Sequence, residues 1–248
     1  MVRSRVFLRP AGLWGCGVLM LVSLWPAAAP AAAPAPAGPA VTETPAPAQL
    51  ARDRRDIEAA LAEYEAGRLR EAERRFLELA RRGNPVGRYN LAMMHVLDEV
   101  ARPDKREAVR LLEASAAQGF VRAEFALAQI YELGVVGPPD IGRSIEWYRR
   151  AAEHGHVDAQ VSMGTAYYLG RGVPADPAAA AQWYRLAANG GDVGAQYLLG
   201  SMYEAGLGVE RDLRIARYWY DVAARNGDEA APHKVRELDE RLKAGEGR

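Results

Sequence analysis

The ten residues YYLGRGVPAD, 167–176, pose the question on which the fold turns. A Gly-x-Gly that opens a polar turn ahead of an Ala-rich run is reminiscent of a phosphate-cradling loop at a helix N-terminus. The stretch recurs, however, as YELGVVGPPD at 131–140 and YEAGLGVERD at 203–212, a spacing of 36 residues. It lacks the Gly-Lys-Ser/Thr ending of a nucleotide-binding loop, and no strand precedes it. Its glycines suit tight or positive-φ turns, and Asp140, Asp176 and Asp212 are placed to occupy the very amides a phosphate needs. The stretch reads as a connection, and its period decides the architecture.

The agreement runs well past the turn. Ala123, Ala159 and Ala195 correspond, as do Leu127, Met163 and Leu199. Trp147-Tyr148, Trp183-Tyr184 and Trp219-Tyr220 recur in register, followed by Ala151-Ala152, Ala187-Ala188 and Ala223-Ala224 and by Gly155, Gly191 and Gly227. A fixed period in this range marks a solenoid, in which each unit buries its apolar face against its neighbours. Each unit reads as two helices. In the last copy Ala195, Leu199, Met202 and Tyr203 fall at helical spacing up to a turn at Gly206. Asp212 then stands at an N-cap position, and Ala216, Trp219, Tyr220, Ala223 and Ala224 share one side of a second helix that Asn226-Gly227 ends. The alanines and Gly200 allow close backbone approach, and the Trp-Tyr pair is expected to fill the space between helices.

The pattern A-x-x-x-L-G-x-x-Y-x-x-G-x-G-V-x-x-D, then W-Y-x-x-A-A-x-x-G, resembles the Sel-one-like repeat family, relatives of the tetratricopeptide repeats. The resemblance implies an all-α fold, a right-handed α-α superhelix of about five helix pairs with a C-terminal capping helix. Units at 123–158, 159–194 and 195–230 match well. A degenerate unit, 87–122, keeps Gly87, Leu91, Ala92, Asp104, Ala108, Ala116 and Gly119 but has Leu111-Leu112 for Trp-Tyr. There His95 and Asp98 replace the tyrosine and glycine that open the turn, so a different turn geometry is expected. Residues 51–86, with Tyr64, Gly67, Ala72, Phe76, Ala80 and Gly83, resemble an ordinary tetratricopeptide unit with a shorter turn. In 231–248, Val235, Leu238 and Leu242 among charges read as a polar capping helix and tail.

Ahead of the repeats, Arg3, Arg5 and Arg9 precede the apolar run AGLWGCGVLMLVSLW, 11–25, and Pro26 ends it. A basic start, an apolar run and small residues at Ala29-Pro30-Ala31 describe a secretory signal peptide over 1–31; the rival reading is an uncleaved inner-membrane anchor. Residues 32–50 are Ala/Pro-rich and suit an extended linker. The expected location is periplasmic or secreted, or anchored in the inner membrane and facing the periplasm. Cys16 is the only cysteine and lies in the apolar run, so no disulfide framework is expected. Acidic and basic residues balance at 32 each and no basic block stands out, which argues against nucleic acid as a partner.

Little catalytic chemistry is on offer. His154 and His156 flank Gly155 in a turn without a third ligand nearby; His95 reads as a packed residue, and His233 has nothing to single it out. No HExxH, Gly-x-Ser-x-Gly or dinucleotide fingerprint is present, and neither metal nor cofactor is expected. A solenoid offers a surface instead. In the family the first helix of each unit lines the concave side, which here implies Tyr89, Met93 and Val96, then Phe125, Gln129 and Glu132, then Val161, Thr165 and Tyr168, then Tyr197, Ser201 and Glu204. A semi-aromatic row beside a polar one suits a peptide or helix, although the aromatic row is equally readable as core. The resemblance implies a non-enzymatic adaptor, scaffold or regulator that binds a protein or peptide in the cell envelope. The alternative is a protein that binds cell-wall ligands or hydrolyses β-lactams, as is associated with a cysteine-rich branch of the family; that branch is disulfide-stapled, and these repeats contain no cysteine.

Overall fold

The computed structural model describes residues 47–246. Their helices are α1 (Pro47–Glu65), α2 (Leu69–Arg81), α3 (Pro85–Val96), α4 (Lys105–Ala116), α5 (Val121–Leu133), α6 (Ile141–Glu153), α7 (Val157–Leu169), α8 (Pro177–Asn189), α9 (Val193–Ala205), α10 (Leu213–Arg225) and α11 (Ala231–Lys243). No strand occurs among the described residues. The signal peptide or anchor expected over 1–31 and most of the linker lie outside them. The last four linker residues, 47–50, belong instead to α1, which starts on a proline whose missing N–H costs nothing in a first helical turn.

Each even-numbered helix packs against the odd-numbered helix before it and the one after it, which is the all-α solenoid of five helix pairs that the repeat implies, closed by α11. Sequence chemistry explains where the helices begin. Asp176 Oδ1 accepts from the amides of Ala178 and Ala179 at 2.9 and 3.0 Å, and Asp212 Oδ1 from Arg214 and Ile215 at 2.8 and 3.0 Å. Asp104 caps α4 in the same way, and Asp140 caps α6 by accepting from the single amide of Arg143 at 3.0 Å. Each cap contributes about 1 kcal/mol, and each occupies the amides that an anion would need.

The turns close by one repeated bond. The N-cap amides of Asp140, Asp176 and Asp212 donate to the carbonyls of Tyr131, Tyr167 and Tyr203 at 2.8, 2.9 and 3.0 Å. Gly134, Gly170 and Gly206 enter those turns in the left-handed conformation, φ 68, 70 and 71°. The turn after α3 differs, as its residues foretell. Asp98 takes the left-handed position itself, φ 59°, and the Asp104 amide donates to His95 Nδ1 at 3.1 Å instead of to a carbonyl. His95 is therefore half-buried and bonded to the turn, more than a packed residue.

Leu127, Met163 and Leu199 are fully buried, as are the alanines at 123, 159 and 195. The Trp-Tyr pair divides. Tyr148, Tyr184 and Tyr220 are buried, whereas Trp147, Trp183 and Trp219 are only partly covered at the edges of the clusters. A Cβ at Gly164 would meet Tyr184 ring carbons at 2.8 Å, and one at Gly200 would meet Tyr220 at 3.0 Å. Helix backbone thus lies directly on the rings of Tyr184 and Tyr220, and burying such a ring contributes about 1.5–3 kcal/mol.

Candidate protein-binding face

The odd-numbered helices carry the expected face: Tyr89, Met93 and Val96 on α3; Phe125, Gln129 and Glu132 on α5; Val161, Thr165 and Tyr168 on α7; Tyr197, Ser201 and Glu204 on α9. At its N-terminal end the aromatic row is packed into the solenoid. Tyr89 leans on Phe120 with ring centroids 5.2 Å apart. Phe125 stacks on His156 at 4.3 Å and 13° and touches Tyr148 at 5.6 Å, and Tyr197 meets the edge of Tyr220 at 5.0 Å. Burial raises the Tyr89 hydroxyl above its ordinary pKa and lowers the His156 imidazole below its own.

The polar row is bonded to the buried tyrosines. The Tyr148 hydroxyl donates to Glu132 Oε2 at 2.6 Å and the Tyr220 hydroxyl to Glu204 Oε2 at 2.9 Å, while Tyr184 pairs with Thr165 Oγ1 at 3.0 Å because position 168 is a tyrosine. Burial, then the carboxylate partner, drives the hydroxyls of Tyr148 and Tyr220 well above the usual range. Burial alone would raise Glu204, but bonds from Tyr220, Lys234 and Arg241 more than reverse it and hold the carboxyl below the usual value. Met93, Gln129 and Ser201 are half-buried.

At the C-terminal end of these helices the face opens. Tyr168 is 46% exposed, and beside the expected residues runs a row that sequence reasoning passed over: Leu97, Leu133 and Leu169 at 37, 40 and 64%. They stand 36 residues apart, four residues beyond Met93, Gln129 and Thr165. That coincidence of the repeat period with the helical step was the signal available. Isolated exposed leucines are ordinary; a ladder of them in register with the fold is not.

Below the face, a second ladder ties units together. Gln160 and Gln196 donate to the carbonyls of Ala152 and Ala188, each at 3.1 Å, and Gln196 Oε1 accepts from Asn226 at 2.9 Å. At the equivalent position Glu124, nearly fully buried, meets His154 Nδ1 at 2.8 Å. His154 is thereby paired within the scaffold. Among the described residues no cluster of His, Cys, Asp and Glu is placed to hold a metal ion, and no helix is long and apolar enough to cross a membrane. The arrangement provides surface for association.

The model of the Sel1 repeat family matches four consecutive segments, 85–120, 121–156, 157–192 and 193–228. Among solved structures, a Sel1 repeat protein from Oxalobacter formigenes is 34% identical, with 68% of this chain and 49% of that one covered and a TM-score of 0.64. The protective antigen c5321 of uropathogenic Escherichia coli, which displays an SLR fold, is 32% identical, with coverage of 77% and 42% and a TM-score of 0.68. The chain thus spans about half or less of the length of these two relatives. No curated protein sequence matches it.

Proposed function

The chain belongs to the Sel1 repeat family, whose solenoids commonly mediate protein–protein interaction and are generally scaffolds without enzymatic activity, and from this premise we propose that it is an exported adaptor that binds a protein partner in the cell envelope. Export rests on the basic start and apolar run at 3–25 and the small residues after it. The observation that carries the binding face is the ladder of Leu97, Leu133 and Leu169 with Tyr168 beside it. These residues hold apolar surface in water, a cost that a partner's apolar stripe would remove at about 25 cal/mol per Å² covered. Glu132 and Thr165 on their flank are already hydrogen-bonded to buried tyrosines, which lowers the ordering entropy lost on binding.

The test is affinity capture with the full chain from a detergent extract of the native envelope, beside the variant Leu133→Glu/Leu169→Glu. Support requires a near-stoichiometric partner that the variant loses while helicity and melting temperature are retained. A partner captured equally by the folded variant removes the leucine ladder from the interface, and the absence of any enriched protein overturns the adaptor reading.

A further inference from the structure

Two tyrosine–carboxylate pairs in this solenoid are built alike and differ in one partner. Glu204 is met from three sides. The Tyr220 hydroxyl donates to Oε2 at 2.9 Å, Arg241 Nη1 donates to Oε1 at 2.7 Å, and Lys234 Nζ lies 3.3 Å from both oxygens. Two units earlier, Glu132 is met by the equivalent tyrosine and by an arginine from the turn after α7, and lacks the lysine. Tyr148 donates to Oε2 at 2.6 Å, and Arg171 Nη1 lies 2.9 Å from Oε1.

The residue two repeat periods before Lys234 is Ser162, whose hydroxyl turns back to the Asp158 carbonyl at 2.8 Å. Where α11 places a lysine side chain, α7 leaves a cavity of about 160 Å³ walled by Ile141, Ile145 and Val161, with Glu132, Tyr148 and Arg171 among its lining. The intermediate unit has no such arrangement, since Tyr168 replaces the acid and Leu198 stands where Ser162 does. The Glu132 side chain is 26% exposed, so the carboxylate is reachable from solvent.

We propose that this cavity takes the side chain of a lysine presented by the protein partner, its ammonium bridging both Glu132 oxygens and its methylene stem lying against Ile141, Ile145 and Val161. The inference rests on the adaptor reading above. The protein's own C-terminus displays the complete version of the site, with Lys234 as the occupant. An ammonium fits better than a guanidinium, because Arg171 already holds the Oε1 edge and a compact point donor can share both oxygens without displacing it. The aliphatic walls match a stem that buries its methylenes while its charge finds a partner.

The experiment uses the full chain labelled at isoleucine δ1 methyls and titrated with Nα-acetyl-lysine methylamide. Ile141 and Ile145 should shift saturably with a Kd on the order of millimolar, while Ile215 stays still and the norleucine analogue produces no shift. Glu132→Gln keeps an acceptor for Tyr148 but loses the charge, and should weaken the probe at least about tenfold, the scale of a charged hydrogen bond. Ser162→Lys supplies the third partner from within the chain, and should abolish the shifts and raise the melting temperature. If Ser162→Lys does not fold, Glu132→Gln alone decides.

Equal shifts from norleucine, no shift at all, or undiminished binding in both variants overturns the lysine site. Unchanged partner capture by folded Ser162→Lys overturns it as well and leaves the adaptor reading standing. A probe that titrates as described, in a chain that captures no protein, overturns the adaptor reading and retains an ammonium site.

Discussion

Gly208 lies in the turn between α9 and α10 at φ 70°, and an alanine Cβ there would sit 2.1 Å from the carbonyl oxygen of Pro177 and 2.3 Å from its carbon. Both contacts are backbone atoms at the start of α8, so nothing can swing aside; the turn and the helix must separate. The left-handed conformation costs an L-residue about 1–2 kcal/mol, and forced overpacking adds about 1–3 kcal/mol. Loss of unfolded-chain entropy offsets about 0.4–1 kcal/mol of this. Gly208→Ala should therefore destabilise by about 2–4 kcal/mol, or about 5–15 °C in Tm for a protein of this size.

Gly227→Ala is the control for the contact. It shares the positive φ, 100°, but its Cβ would meet nothing within 4 Å, so its cost should stay near 1 kcal/mol. Thermal unfolding followed at 222 nm, with hydrogen exchange resolving which units open, measures both. Exchange should report α8–α11 opening first in Gly208→Ala, because the turn after α9 would no longer seat on α8. Equal destabilisation of the two variants would refute the claim that contact between neighbouring units at this turn carries stability.

Three further outcomes are expected. Asp98→Gly relieves a left-handed aspartate at the cost of an exposed Lys105 pair, and should raise Tm by about 1–2 °C. Burial lowers the His156 pKa below 6.5, so as pH falls below that value the unfolded chain gains the proton first; Tm should drop between pH 7.5 and 5.5, and drop less in His156→Phe. Glu204 is held below the usual 4.5 and Glu246 at about 2, the latter by Arg241 and Arg211. Their stabilisation is therefore complete above pH 4.5 and lost as pH falls through the lowered values; amides of α11 should lose exchange protection in acid before those of α5–α8, with Glu204→Gln removing part of that dependence.

Much of the fold is legible in the sequence because a repeat multiplies weak signals. A single Asp before an apolar run suggests a cap; Asp140, Asp176 and Asp212 at one period, each after a Gly-containing turn, settle it. The odd turn after α3 was equally foretold by the two residues that break the pattern, although not that His95 would lend a ring nitrogen in place of a carbonyl. Burial was harder to read. Adjacent Trp and Tyr look interchangeable as filler, yet consecutive helical positions point about 100° apart, so only the tyrosine can face the neighbouring glycine or alanine. The candidate face was half legible. Its aromatic row has ring partners such as Phe120 and His156 more than thirty residues away, and the contrast between Glu132 and Glu204 depends on Arg171 and Lys234 reaching across units, which no local pattern encodes.

The glutamine ladder has a consequence for how such a chain changes length. Gln160 and Gln196 each reach the carbonyl eight residues earlier in sequence, on the helix just completed. In-frame excision of 157–192 would bring Gln196 to the Ala152 carbonyl, a joint already present once in the protein. It would also set Leu198 opposite Glu132, in the place of Ser162. Recombination between units can therefore shorten the scaffold without inventing a new joint, and in the same event erase a recognition pocket; the glutamine joint is shared by these two units, and the pocket belongs to one of them.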